Sequence, residues 1–291
     1  MINLPQYKMG NHIPKFIHQT YPNKTLLPIE IQENIKKICE LNSSWVYCLY
    51  DNADIETTIL KYYGLEVLNI YRRINPSYGA ARADFFRYLL MYSVGGVYLD
   101  IKSTITRPLD DVITSNDQYI LSKWDNSESG RHPGMGLHDQ LAMYKGGEYQ
   151  QWHIIAALGH PFLRVSIERV IDNIRNYNIL RDGVGLRGVL RVTGPITYTL
   201  RIEQIKSLYP FREIDIHRDL GIEYSIYESL GTQRNHRSIF KKHYSELEIP
   251  IIVPQSFRDY YLIFFYYSIK FTKKVDFLYY MLKYIKNLTR N

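Results

Sequence analysis

The sequence predicts an α/β protein built on a parallel, doubly wound sheet. Two observations predict it. Short apolar runs rich in β-branched and aromatic residues alternate with longer segments of helical period. The stretch YGAARADFFRYLLMYSVGGVYLD (residues 78–100) reads as a helix, a Gly-Gly break and a short apolar strand that ends on a carboxylate. Strand–helix–strand alternation of this kind is the signature of parallel βαβ units. With 291 residues, 45% hydrophobic and 22% charged, the chain can bury one sizeable core or two small ones.

Taken in order, residues 15–20 (KFIHQT), just after Pro14, read as the first strand. Ile31, Ile35, Ile38 and Leu41 recur at helical spacing and place a helix over 28–41, with Pro28 suited to its first turn. Residues 45–50 alternate as a second strand. Asp51 or Asn52 is placed to cap the following helix, and Gly64 to end it. Residues 79–94 form the next helix, which Gly95-Gly96 breaks before a buried strand over 97–100. Beyond Pro108, residues 118–123 read as a strand and 125–139 as a polar, Gly-rich loop long enough to act as an acceptor or lid loop. Residues 141–144 read as a further strand, and 152–157, 161–177 and 194–208 as helices.

The end of the chain changes character. Residues 255–291 contain YYLIFFYYSIKF and FLYYMLKYIK, and carry seven basic residues against two acidic ones. Two readings stand: a basic amphipathic helix on an anionic membrane surface, or a terminal helix pair packed on the body. The expected organisation is one domain over 1–250 and a helical extension over 251–291.

The net charge of +7 favours anionic ligands. No helix-turn-helix or zinc pattern supports nucleic-acid binding. The two cysteines, Cys39 and Cys48, make no disulfide framework and no metal spacing, which fits a reducing compartment. The first residues, MINLPQYKMGNHIPKF, hold no apolar run of signal-peptide length, and no window reaches the roughly 18 to 20 apolar residues that span a bilayer. A cytoplasmic location, with peripheral membrane contact through 255–291, is the expectation.

The chemistry concentrates around residues 84–104. Asp84 and Arg87 stand one helical turn apart and share a face. A carboxylate there can accept from sugar hydroxyls while the guanidinium donates. Asp100 ends a strand, where open α/β sheets bind ligands, and the polar run Lys102-Ser103-Thr104 follows it. Together these point to a nucleotide-sugar site. The block ARADFFRYLLMYSVGGVYLDIK resembles the sugar-binding DXD region of glycosyltransferase family 32, and the large clostridial glucosylating toxins carry a similar block. The resemblance continues in IPKFIHQTYPN, WVYCLYDNADI, WHIIAALGHPFL and VTGPITYT, in family order over residues 13–200.

That resemblance implies a GT-A type, Rossmann-like nucleotide-sugar-binding domain and a retaining hexosyl transfer to a glycan hydroxyl. A UDP-sugar is favoured as donor over GDP-mannose, with a capsule, lipopolysaccharide or viral glycan as acceptor. It implies that Asp84, Arg87 and Gln151 meet the donor sugar. Tyr98 would pack on the ribose, and Asp100 would hold the ribose or a divalent Mn²⁺ or Mg²⁺. His18, Gln19 and Thr20, at the end of the first strand, would meet the base, although a structural role stands beside that reading. His243 would complete the metal or pyrophosphate site, with His236 and His217 as rivals.

Lys102 departs from the pattern, because the family usually places a second Asp there. A protonated ammonium cannot ligate Mn²⁺ or Mg²⁺. Three readings stay open: a metal held by Asp100 and downstream groups, a metal-independent enzyme in which Lys102 pairs with the diphosphate, or a weak or inactive sugar-nucleotide-binding homologue. A toxin-like enzyme that glycosylates protein is a further alternative. The residues assigned catalytic roles are Asp100, Lys102 and Arg87. No protein base is nominated, because in retaining front-face transfer the leaving diphosphate can take the acceptor proton.

Overall fold

The computed structural model describes residues 3–227 and 244–288, with side chains as far as residue 272. The elements in chain order are β1 (Phe16–Thr20), α1 (Ile29–Leu41), β2 (Val46–Tyr50), α2 (Asn52–Arg72), α3 (Gly79–Ser93), β3 (Gly96–Leu99), β4 (Thr104–Ile105), α4 (Leu109–Val112), β5 (Tyr119–Ser122), β6 (His153–Ala156), α5 (Pro161–Arg175), α6 (Ile179–Asp182), α7 (Gly185–Val192), α8 (Pro195–Ile205), β7 (Arg212–Ile214), α9 (Ile216–Leu220), β8 (Ile222–Glu223) and α10 (Phe257–Leu288). Six strands form one sheet in the order β2-β1-β3-β6-β5-β7, and β4 pairs with β8 beside it.

Several local signals act as the sequence predicts. Asp51 caps α2 by accepting from the N–H groups of Ala53 and Asp54, while the Asp54 carboxylate returns to the Asp51 N–H. Gly64 interrupts α2 in a non-helical conformation, and the helix then resumes to Arg72 instead of ending. Gly95 and Gly96 both take positive φ. A Cβ on Gly96 would lie 2.7 Å from the Phe16 carbonyl, so only glycine lets β3 enter the sheet beside β1 there.

The α/β class holds, but the sheet is mixed. β1 runs parallel to β2 and β3, whereas β6 lies antiparallel to both β3 and β5. The reversed strand is the segment expected as a helix over 152–157. All four β6 residues are buried, and a run this short and this apolar shows no period by which strand and helix differ. The strand expected over 141–144 is instead a 3₁₀ turn, Asp139–Leu141. Of its residues Leu141 alone is buried, so it offers no alternating face.

Alternation along β3 divides the core. Val97 and Leu99 face a cluster with Ile38 of α1, Leu109 and Val112 of α4, and Ile216 and Leu220 of α9. Tyr98 faces the larger cluster formed with α2, α3, α5, α7 and α8. α3 is buried on nearly every side from Asp84 to Ser93, which makes it the central helix of the protein. Ile251 and Ile252 belong to this core and lie fully buried, although the sequence assigns them to the extension. The extension therefore begins at Phe257, and it is one continuous helix instead of a pair.

Three buried histidines act inside the fold. His18 places Nδ1 3.1 Å from the Tyr50 hydroxyl and Nε2 3.0 Å from the Gly95 carbonyl. His160 caps α5 by accepting from the Phe162 N–H at 3.3 Å. His153 meets the Ser122 hydroxyl at 2.9 Å. Burial holds His18 and His160 down at about 4 and His153 at about 3. Each is neutral in the native state, whereas the unfolded chain takes up protons near pH 6.5. The stability they contribute is complete above pH 6.5 and is lost as pH falls toward 4. We expect the unfolding free energy from urea titrations to drop steadily between pH 7 and 4.5, with a limiting slope of roughly 4 kcal/mol per pH unit for three protons. A midpoint that stays flat to pH 5 would contradict neutral burial of these rings.

Candidate active site

The carboxyl end of β3 sets the position of Asp100. Its N–H donates to the Trp152 carbonyl at 2.8 Å, which extends the β3–β6 ladder by one step. Its carbonyl accepts from the Ser103 N–H at 2.9 Å and from the Gln19 side-chain amide at 3.0 Å. The Gln19 amide oxygen in turn accepts from the Tyr47 hydroxyl at 2.8 Å. Backbone and side chain together thus fix where the Asp100 carboxylate stands.

Beneath Asp100 lies a buried charge network carried by α3. The Arg87 Nη2 stands 3.2 Å from Asp84 Oδ1 and 3.1 Å from Asp100 Oδ1. Its Nη1 donates to the Gln151 carbonyl at 2.5 Å, and its guanidinium lies 4.8 Å from the centre of the Tyr98 ring. Asp84 also accepts from the Gln151 side-chain amide and from the Thr193 hydroxyl, each at 3.0 Å. Burial pushes Asp84 above the usual carboxylate range, with Arg87 and the two hydrogen bonds opposing it. Burial works against the charge on Arg87, but Tyr98, Asp100 and Asp84 outweigh it and hold the guanidinium protonated. Every donor around Asp84 points at an oxygen, which is the pattern of an ionised carboxylate. The side chains of Arg87 and Asp84 are 5% exposed, and that of Asp100 is 28% exposed. Asp100 therefore carries the open edge of the triad.

An aromatic wall stands beside it. The Lys102 ammonium lies 3.8 Å from the centre of the Tyr224 ring. Tyr224 meets Trp124 and Trp152 edge-on, with ring centres 5.1 Å and 5.3 Å apart. These rings line a cleft with Arg131, His132 and Gln150. The Trp152 Nε1 is buried with no hydrogen-bond partner among the described residues. Tyr244 adds a phenol whose proton is held more tightly by burial and by the nearby charges of Asp84 and Asp100. Sequence reasoning missed Tyr244, Thr193, Tyr224, Trp124 and Trp152. Two of the chain's three tryptophans beside the ends of apolar runs were the available signal.

Residues 28–120 match the family model described as the glycosyltransferase sugar-binding region containing DXD motif. That segment, about a third of the chain, is similar to a DXD-type glycosyltransferase sugar-binding region. Over 112 residues the chain is 38% identical to the initiation-specific alpha-1,6-mannosyltransferase of Candida albicans, covering 37% of this chain and 28% of that protein. Over 101 residues it is 31% identical to a mannosyl phosphorylinositol ceramide synthase of Saccharomyces cerevisiae, covering 35% and 26%. The chain thus spans little more than a quarter of the length of these curated relatives. Among solved structures, the UDP-bound glycosyltransferase domain from the YGT toxin aligns with 77% of this chain and 83% of that domain, at 10% identity and a TM-score of 0.48.

Within the DXD region the second acidic position is Lys102. Among the described residues no three His, Cys, Asp or Glu side chains converge as a metal site. One oxygen of Asp100 is engaged by Arg87, and Asp84 is already surrounded by donors. Among the described residues Asp100 alone offers a partly open carboxylate to a divalent ion. His243 and His236 lie outside the described residues. His217, on α9, faces Glu223 at 2.5 Å and lines the far side of the cleft.

The expected donor-binding residues divide into two groups. Asp84, Arg87, Tyr98, Gln151 and Asp100 converge on one network, and the Thr20 hydroxyl joins it 3.0 Å from that of Tyr98. His18 and Gln19 are fully buried, and their polar atoms are satisfied by protein. Of the two readings for these residues, their buried contacts agree with the structural one: His18 braces the entry to β3, and Gln19 positions Asp100. The loop over 125–139 is tied to neighbouring segments in this conformation. Asn126 bonds the carbonyls of Met135 and Gly146, and Arg131 bridges to Glu223 at 2.6 Å.

Removing Arg87 would leave two carboxylates without their shared cation. We expect Arg87→Ala to lower unfolding free energy by about 3–5 kcal/mol, and Asp100→Ala by about 1 kcal/mol or less, because Arg87 keeps Asp84. Chemical denaturation of the two variants checks this, and equal losses would contradict the buried role of Arg87.

Proposed function

We propose that the protein is a retaining glycosyltransferase that moves a hexosyl group from a nucleoside diphosphate sugar to a hydroxyl of a glycan acceptor. The observation that carries this reading is the open carboxylate of Asp100, fixed at the end of β3 by Arg87, Gln19 and the Trp152 carbonyl. Ligands of α/β sheets bind at this edge. The matched DXD region includes Arg87 and Asp100.

The relatives named as mannosyltransferases support mannose as the sugar. Nucleoside diphosphate mannose is α-linked, so the alpha-1,6 linkage in one relative's name supports retention of configuration. In this reading Asp100 accepts from sugar or ribose hydroxyls, and Arg87 and Asp84 hold it in place. The bond between the sugar C1 and the diphosphate oxygen breaks as the acceptor oxygen bonds to C1. The acceptor proton passes to the departing diphosphate, so no protein base is needed. Lys102 stabilises the charge that grows on that diphosphate. The ring wall of Trp124, Trp152 and Tyr224 supplies flat apolar faces of the kind on which sugar rings pack.

Calorimetry with GDP-mannose, UDP-glucose, UDP-galactose and UDP-N-acetylglucosamine, each in EDTA and in Mn²⁺, tests the reading. We expect GDP-mannose to bind in EDTA, Asp100→Ala to abolish binding, and Lys102→Ala to lower transfer by roughly 100-fold or more. Failure of every donor in both conditions would overturn the transferase reading. Binding that requires Mn²⁺ would overturn the role of Lys102 alone. Preference for a UDP-sugar would overturn mannose alone.

A further inference from the structure

We propose that the outward face of α10 docks on an anionic membrane surface. The helix faces the body with its inward side, where Leu262 and Ile263 line a small pocket together with Tyr177, Ile179 and Ile252. The Tyr267 hydroxyl donates to the Glu248 carbonyl at 2.8 Å, and Lys270 pairs with the Glu248 carboxylate. The opposite side is left bare. Phe257, Tyr261, Phe264 and Phe271 recur at helical spacing and are 87%, 59%, 71% and 70% exposed. Tyr260 stands beside them, also exposed. An exposed aromatic stripe on an outward face, interrupted once at Ser268, marks an interaction surface.

Charge and length name the occupant. Residues 255–291 carry seven basic residues against two acidic ones, a net +5 of the chain's +7. A second copy of the chain would bring the same positive charge to the contact, whereas anionic lipid headgroups complement it. The 32-residue helix is about 48 Å long, yet no described helix is long and apolar enough to cross a membrane. A long basic helix with an aromatic face lies in the plane of the interface, with phenyl rings at the acyl boundary and tyrosine hydroxyls among the headgroups. The docking does not rest on the transferase reading.

Vesicle flotation of the full chain tests it. We expect flotation with phosphatidylcholine vesicles containing about 30 mol% phosphatidylglycerol, binding at least roughly tenfold weaker to pure phosphatidylcholine, and release in about 0.5 M NaCl. The combined variant Phe257→Ser, Tyr261→Ser, Phe264→Ser and Phe271→Ser should lose roughly tenfold or more of this binding, while its melting temperature and donor binding stay unchanged. No flotation of the wild type, or equal flotation of the variant, would overturn the proposal. So would light scattering that gives a wild-type dimer and a monomeric variant, because a second copy would then cover the stripe.

Discussion

The site depends on one buried cation. Arg87 sits inside the protein on its central helix, and both carboxylates near it are arranged around its charge. Burying a guanidinium is expensive unless it is paired and hydrogen-bonded. Two carboxylates, the Gln151 carbonyl and the face of Tyr98 meet that requirement. The same contacts draw α3, β3 and the Gln151 segment into one unit. Asp84 then takes hydrogen bonds from Gln151 and Thr193, so the C-terminal end of α7 is joined to the network as well. Asp100 is the member left partly in solvent, and its position follows from the others.

Topology supplies the rest. A sheet of parallel strands alone would place Asp100 among loops that follow strands. The reversed strand β6 brings the residues before it, Gln150, Gln151 and Trp152, to the same edge. A single edge therefore collects side chains entering a strand and side chains leaving one. The polar network and the aromatic wall both use this arrangement.

What was legible in the sequence was local. The Asp51 cap, the Gly95-Gly96 break and the i,i+3 relation of Asp84 and Arg87 each act within a few residues, so spacing and residue type suffice to find them. β6 was not legible, because four buried residues in a row carry no periodicity. The partners of the site were hidden for another reason. Thr193 reaches Asp84 across 109 positions and Tyr224 reaches Lys102 across 122, and nothing near either residue announces the pairing. His18 carried two readings because strand-end polar residues are common at ligand edges, whereas this ring is buried and meets the carbonyl of Gly95, just before β3.

The segment just before α10 has a different standing from α10 itself. Asn75 donates to the Ile251 carbonyl, and Val253 donates to that of Arg73, so the strap is stitched to the residues that lead into α3. The Tyr78 hydroxyl, at the start of that helix, donates to the Ile249 carbonyl and accepts from the Gly185 N–H. The strap thus acts as a clasp on the helix that carries Arg87, while α10 is an appendage beyond the clasp. The clasp, a few residues earlier, is bound to the fate of the buried charge.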